Sequence, residues 1–522
     1  NNSLSGVDVQ ILDNGTAIYA TSGYGGSDSK TDSNGMISKL FVVDRIYDGS
    51  DTATENVTLV KVKKSGVSAN RTVNMSTSHT ETFTIYFDLP STIIVDANGN
   101  GHFTKIQAAI DASSAGDKIR IWAGNYTENV DVYKRLEVIG NYTNGQHMTT
   151  INGNWISNVV NVTAARVVLE NIRVINSGNN SEWNDHEEGI SIEDNWCEIK
   201  NVIVENNNYG IYVNDGIEDN ALIISNSKII NNIGSGIFLR DNTDLVSIEN
   251  NTISDNYRGI DMYYATYAKF YYNTIVNNDG DGVYADRASF QIYYGNNISN
   301  NGGNGILLSA NGEQSGRGKY NFFKNNIIND NDGSGIYIID EATNNTFIGN
   351  ELKDNDYGIR FMASPDNLFI NNVIEGAVWD ILVSDNGGFS TTSHNNTFIN
   401  CTFNPDSIRF NDDGTVVEQN YLEILVYDYD NSTVSGADVR IKDNSNVVYS
   451  TSYYDGDDAT TDDNGLISLI PLTYTIYEYG EDPTTNVTTV EVHYRTSNVS
   501  RTVNMSTSHT ESFSMPFGPE WS

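Results

Sequence analysis

If this chain performs chemistry, carboxylates must carry it. Its 522 residues include 68 Asp and Glu against 30 Lys and Arg, a formal net charge of −38. Two carboxylates at a suitable separation can serve as general acid and base on a glycosidic bond. Acidic clusters stand at Asp185, Glu187 and Glu188 and at Asp279 and Asp281. Turn-rich repeats generate such clusters without function, so they do not by themselves mark a reaction centre. An Asn-Thr-Asp triplet at 242–244 has no companion Asp-Asp or His-Gly element. The seven histidines fall in no H-x-x-H or H-E-x-x-H spacing, which argues against zinc. Calcium could sit at the oxygen-rich stretches Asn277–Gly282 or Asp455–Asp458, although neither follows an EF-hand loop. No other cofactor is indicated, and the expectation is a protein without a catalytic residue.

The charge balance narrows the partners. Phosphate neutralisation needs clustered Lys and Arg, so a nucleic-acid partner is excluded, and an anionic lipid surface is equally unsuitable. No apolar run approaches the roughly 18 residues of a bilayer span, so no membrane insertion is expected. The chain opens at Asn1 with no Met and no signal peptide, which reads as a processed protein. Cys197 and Cys401 read as buried fillers.

The elements that must position any site fall into three parts. SGVDVQILDN at Ser5–Asn14 returns as SGADVRIKDN at Ser435–Asn444, and RTVNMSTSHTE at Arg71–Glu81 returns unchanged at Arg501–Glu511. One offset of 430 relates the copies. Alternating apolar and polar runs broken by Gly and Asn turns predict a small antiparallel β-sandwich at each end, over residues 1–90 and 421–522. The second copy is preceded by the strand Leu422–Asp430, which has no counterpart before Asn1. The first copy is therefore expected to lack its opening strand, and an open edge invites strand donation from another subunit.

Between them, residues 91–420 repeat with a period near 23. Gly189, Gly210, Gly236, Gly259, Gly282, Gly305, Gly335 and Gly358 recur mostly every 21–26 residues, with Asp380 and Ser407 in their place in two worn copies. Three short strands per period without a helical pattern predict a right-handed parallel β-helix. After each glycine, pairs such as Ile211 and Val213 or Ile306 and Leu308 point inward. Asn201, Asn226, Asn250 and Asn273 are expected to form an amide ladder at one corner. The fold class is all-β, a parallel β-helix solenoid flanked by two homologous β-sandwich domains.

On these repeats the solenoid resembles the pectate-lyase-like parallel β-helix superfamily, in particular its NosD-type branch. Ile93–Val130, IIVDANGNGHFTKIQAAIDASSAGDKIRIWAGNYTENV, looks like the start of such a helix, and the resemblance implies that Ile106–Ala112 is a short capping helix. The end modules resemble immunoglobulin-like or carboxypeptidase-regulatory-like modules, which implies a spacer role. The resemblance implies a fold; it does not imply an activity.

Two surface features remain. N-x-S/T sequons are frequent: Asn56, Asn70, Asn74, Asn125, Asn141, Asn161, Asn250, Asn297, Asn344, Asn395, Asn431, Asn486, Asn498 and Asn504. They mark N-glycosylation candidates and an extracellular setting. The outward position between the inward aliphatics reads Tyr212, Phe238, Asp261, Tyr284, Leu307, Tyr337, Arg360 and Leu382. Tyr212, Phe238, Tyr284, Leu307, Tyr337 and Leu382 would form an apolar stripe able to dock a neighbouring copy or stack sugar rings. The combined reading is an extracellular cell-surface protein that assembles head to tail with copies of itself into a filament, sheath or surface layer. A carbohydrate-binding adhesin and a polysaccharide lyase or hydrolase are the rivals.

Overall fold

A computed structural model describes the chain except residues 1–4, 14, 38–44, 47–53, 56–57, 65–66, 74–79, 81–91, 179–180, 183–184, 215–221, 242, 312–316, 385–390 and 517–522. Its centre is a right-handed β-solenoid of about 13 turns. A coil such as Lys269–Tyr271, Thr274–Val276 and Val283–Asp286 contributes one strand to each of three parallel rows. Each strand pairs in register with its equivalent one coil away: Phe270 with Tyr293, Ile275 with Ile298, Val283 with Ile306. Helix Ile106–Ala112 opens the solenoid at the span the resemblance implies.

Strand alternation sends one side chain per strand into the bore. In the first row these are Phe270, Tyr293, Phe323, Phe347, Phe369 and Phe398, all fully buried. Their rings stack at centroid distances of 4.4–4.6 Å. The other two rows contribute aliphatic side chains, among them Ile275, Ile298, Ile306 and Leu308. The anchoring glycines are required by close approach: a Cβ on Gly259 would lie 2.4 Å from the Gly282 carbonyl oxygen.

The amide ladder is present, one residue later than expected. Asn201, Asn226 and Asn250 adopt left-handed φ of 49–54° and turn the corner. Asn is among the few L-residues that accept this conformation readily. The following residue points inward, so the ladder runs through Asn251, Asn273, Asn296, Asn326, Asn350 and Asn372, all buried. Of the residues expected in it, Asn273 belongs. A second ladder runs along the next corner: the Asn278 backbone N–H and Nδ2 both donate to Asn301 Oδ1, at 3.1 and 2.9 Å. Asn301 repeats this toward Asn331 and donates back to the Ile275 carbonyl at 3.2 Å.

Each end carries a four-stranded antiparallel sheet. The first runs Thr16–Ala20, Asp8–Asp13, Thr58–Lys64, Val67–Val73, and the second Asn446–Ser450, Asp438–Asp443, Thr488–Tyr494, Ser497–Val503. Their registers match at the offset of 430: Asp8 faces Lys63 as Asp438 faces His493. The chain forms two compact units, Asn1–Leu89 with Ile467–Leu469 and Pro90–Leu466 with Ile470–Ser522. Within the second, strand Gly414–Tyr427 pairs with the last first-row strand, Thr397 facing Val417, and continues to pair with His509–Ser514. The expected boundary after residue 420 thus falls inside one continuous strand. Both cysteines are free.

The ladder predicts an asymmetry between neighbouring asparagines. Asn301→Ala removes the acceptor of the buried Asn278 backbone N–H and the donor to the Ile275 carbonyl, while Asn278 Nδ2 keeps the Ile253 and Val276 carbonyls, and should cost about 2 kcal/mol in chemical denaturation. Asn300→Gly, at the exposed corner with φ of 57°, should change stability by less than about 0.5 kcal/mol.

Candidate functional site

The outward face of the third strand row gathers the reactive side chains. Counting two and four residues past each anchoring glycine lists its occupants: Asp261 and Tyr263, Tyr284 and Asp286, Leu307 and Ser309. Asp261 pairs across the coils with Tyr284, and Tyr263 with Asp286. Asp261 and Asp286 are therefore diagonal neighbours, about 8 Å apart at Cα for one inter-strand step and two residues of strand.

The two carboxylates differ in support. Arg258 Nη1 donates to Asp261 Oδ2 at 3.0 Å, and Ser235 Oγ donates to the same oxygen at 3.2 Å. Burial pushes the Asp261 carboxyl up, and the adjacent guanidinium opposes that push. Arg258 also stacks 3.8 Å over the Tyr284 ring and stands 3.8 Å from Asp281 Oδ2. Asp281 Oδ1 is held by the Asn304 backbone N–H and Nδ2, both at 2.8 Å. Asp286 is 3 % exposed, and its Oδ1 has no hydrogen-bond partner. Its nearest cation is Arg287, 3.8 Å from Oδ2, which itself donates to Tyr263 Oη at 2.7 Å. Burial raises the Asp286 carboxyl, with Arg287 and the Ser309 hydroxyl acting against it. The arrangement joins one carboxylate held by a cation to one acid that burial biases toward its protonated form.

Aromatic side chains continue the face in both directions. Toward the start of the solenoid, Tyr212 and Phe238 stack at 5.1 Å and 2°, with Tyr209 edge-on to both. Beyond Tyr209, Glu188 is buried and pushed up to about 8 by desolvation. Toward the other end, Arg360 lies 4.3 Å over Tyr337, and Asp340 accepts from Ser309 Oγ at 3.1 Å.

The sequence-predicted residues divide between this face and the rest of the surface. All six interface candidates lie in its outward row, yet Tyr212, Leu307 and Leu382 are buried and Phe238, Tyr284 and Tyr337 half-buried. They line a face that neighbouring side chains cover, and no open stripe results. Glu188 and Asp281 belong to the site, whereas Asp279 is exposed and the side chain of Asp185 lies outside the described residues. Asp244 accepts from Thr266 Oγ1, and Asn242 lies outside the described residues. Among the sequons, Asn70, Asn125, Asn250, Asn297, Asn344, Asn395, Asn431, Asn498 and Asn504 are exposed, and Asn141, Asn161 and Asn486 half-buried. Asn56 and Asn74 lie outside the described residues. Among the described residues, no three His, Cys, Asp or Glu side chains converge to hold a metal ion, and no helix is long and apolar enough to cross a membrane. The residues that sequence reasoning missed are Asp286, Arg258 and Arg287; counting outward positions from each glycine across adjacent coils would have found Asp286.

The family model described as "Right handed beta helix region" matches residues 139–316, 216–374 and 313–464. No curated protein matches the sequence. Among solved structures, the mannuronan C-5 epimerase A-module of Azotobacter vinelandii is 17% identical over 58% of this chain and 83% of its own, with a TM-score of 0.41. The thermostable GH87 α-1,3-glucanase from Streptomyces thermodiastaticus is 15% identical over 79% and 84%, TM-score 0.42. Tailspike gp49 of Acinetobacter baumannii bacteriophage Fri1, a capsular polysaccharide depolymerase, is 12% identical over 86% and 86%, TM-score 0.43. These neighbours are polysaccharide-active proteins, and they correct two expectations: a non-catalytic chain, and a subunit that assembles head to tail into a filament, sheath or surface layer. Such distant likeness lends a fold; the chemistry must come from this chain's own residues.

Glu188 yields a pH prediction. Its folded value of about 8 lies above the ordinary 4.5, so ionisation favours the unfolded state as pH rises between them. Stability should fall from about pH 4.5 to about pH 8 and then level off. Glu188→Gln should remove that fall, measured as urea midpoint against pH.

Proposed function

The chain belongs to the right-handed β-helix family, and from that premise we propose that it is an extracellular polysaccharide-active enzyme that hydrolyses a glycosidic bond on the third-row face. One observation carries the reading: two buried carboxyl groups on adjacent coils, Asp261 held by Arg258 and Asp286 with an unpartnered oxygen. Half-buried Phe238 and Tyr337, on either side of that pair, keep part of their rings accessible to a substrate lying along the solenoid, since pyranose rings present apolar faces to aromatic ones. Glycans are its partners in this reading.

Asp286 is assigned as general acid. Its proton passes to the bridging glycosidic oxygen as the bond from that oxygen to the anomeric carbon breaks. Asp261, ionised beside Arg258, takes a proton from the water whose oxygen bonds the anomeric carbon. The new hemiacetal and the freed hydroxyl balance the water consumed. The water that Asp261 activates bonds the anomeric carbon directly, with no covalent glycosyl intermediate on the enzyme, so this mechanism inverts the anomeric configuration. Arg287 and Tyr263 hold the acid's surroundings, and Tyr284 under Arg258 fixes the base.

Asp286→Asn should lower turnover about 10²–10⁴-fold with little change in polysaccharide binding, and Asp261→Asn should do likewise. Reducing-end release followed by NMR of the new anomer should show inversion. Activity should fall at acid pH as Asp261 protonates and at alkaline pH as Asp286 ionises. Because burial raises both groups, the optimum should lie above the ordinary carboxylate range near 4. Full activity in both variants, or an unsaturated product in place of a hydrolytic one, would exclude this mechanism.

A further inference from the structure

The first strand row has an outer face of a different kind. Its corner residues adopt left-handed φ on most of the described coils, and late in the solenoid these are Asn344, Asp366 and Asn395. In the middle they are Tyr267, Phe290 and Tyr320, with φ of 55°, 59° and 60°. Bulky aromatic residues are poorly suited to this region of backbone space, and an observed outlier of this sort is grounds for asking what it does. All three are exposed, at 48, 41 and 54 %. Their rings form a stack with centroids 4.9 and 5.3 Å apart. At the opposite corner of the same row Tyr272 is 56 % exposed, again with positive φ.

Between those corners the outward positions of three successive strands hold Tyr271, Ile292, Tyr294 and Phe322 with Lys269 and Lys324. None is a carboxylate, in a chain with 68 of them. These six side chains are half-buried and continue the exposed corner rings into one surface of aromatic edges flanked by two ammonium groups.

We propose that this face is a second polysaccharide-binding surface, separate from the third-row site, that holds a glycan strand against its aromatic edges and two lysines. A second copy of the chain fits the face poorly. The patch spans roughly 15 by 17 Å, or about 250 Å², against the about 800 Å² per partner of a stable protein interface. The choice of a glycan as occupant rests on the polysaccharide reading of the preceding section; the surface itself does not depend on the Asp261–Asp286 pair.

The fold supplies its own control substitution, because Asn is what the same corner carries elsewhere. Tyr267→Asn, Phe290→Asn and Tyr320→Asn combined should leave the thermal midpoint unchanged or raised. The wild type and this variant are compared by affinity electrophoresis and cosedimentation on a panel of neutral and acidic polysaccharides that includes mannuronan and α-1,3-glucan. At least one polysaccharide should retain the wild type, and the triple variant should bind it at least fivefold more weakly. Asp286→Asn should be retained like the wild type, so loss of hydrolysis and loss of binding separate. Equal retention of the triple variant, no retention of the wild type by any polysaccharide, or a wild-type dimer in light scattering that the triple variant abolishes would overturn the proposal.

Discussion

The buried side-chain amide is the interaction on which this solenoid depends. A parallel coil leaves backbone N–H and C=O groups at every corner with no strand partner, and burying them unpaired is costly. Asn answers both needs at once. Its Oδ1 accepts from the coil below while its Nδ2 donates onward, as Asn278, Asn301 and Asn331 do in succession. Because each amide serves the next, coils stack in one register, and the outward rows are held to a fixed spacing. Any site on the flank inherits that spacing.

The same geometry explains much of the composition. At three corners an exposed left-handed Asn is followed by a ladder Asn and then by a strand Thr: Asn250–Thr252, Asn344–Thr346 and Asn395–Thr397. Corner conformation, amide ladder and β-branched strand residue together spell N-x-T. At these three corners the sequon is what the fold itself requires, whether or not a glycan is attached.

Legibility follows the range of each interaction. The period, the inward aliphatics after each glycine and the capping helix at Ile106–Ala112 arise within one coil or from its repetition, so they can be read along the chain. The ladder was displaced by one residue because consecutive Asn pairs look alike in sequence; only the backbone distinguishes the corner from the ladder position. The site is less legible still. Asp261 and Asp286 are 25 residues apart and meet because one coil separates them, while Arg258 reaches Asp261 from the turn before its strand. Neither pairing forms a linear motif, so neither can be read along the chain.

A rigid, repetitive scaffold also changes what a buried charge means. In a mobile protein an acid with an unpartnered oxygen would relax toward water, whereas the strand pairing on both sides of Asp286 holds its backbone fixed. The cost of burying it is therefore borne by the stack as a whole, through ladders and rings whose contributions do not involve the flank. The aromatic column Phe270 to Phe398 lies on the inner side of the first row, so the exposed rings at its corners add little that the bore does not already provide. Strain at Tyr267, Phe290 and Tyr320 and desolvation at Asp286 thus share one logic: both are local penalties that only an over-determined core sustains.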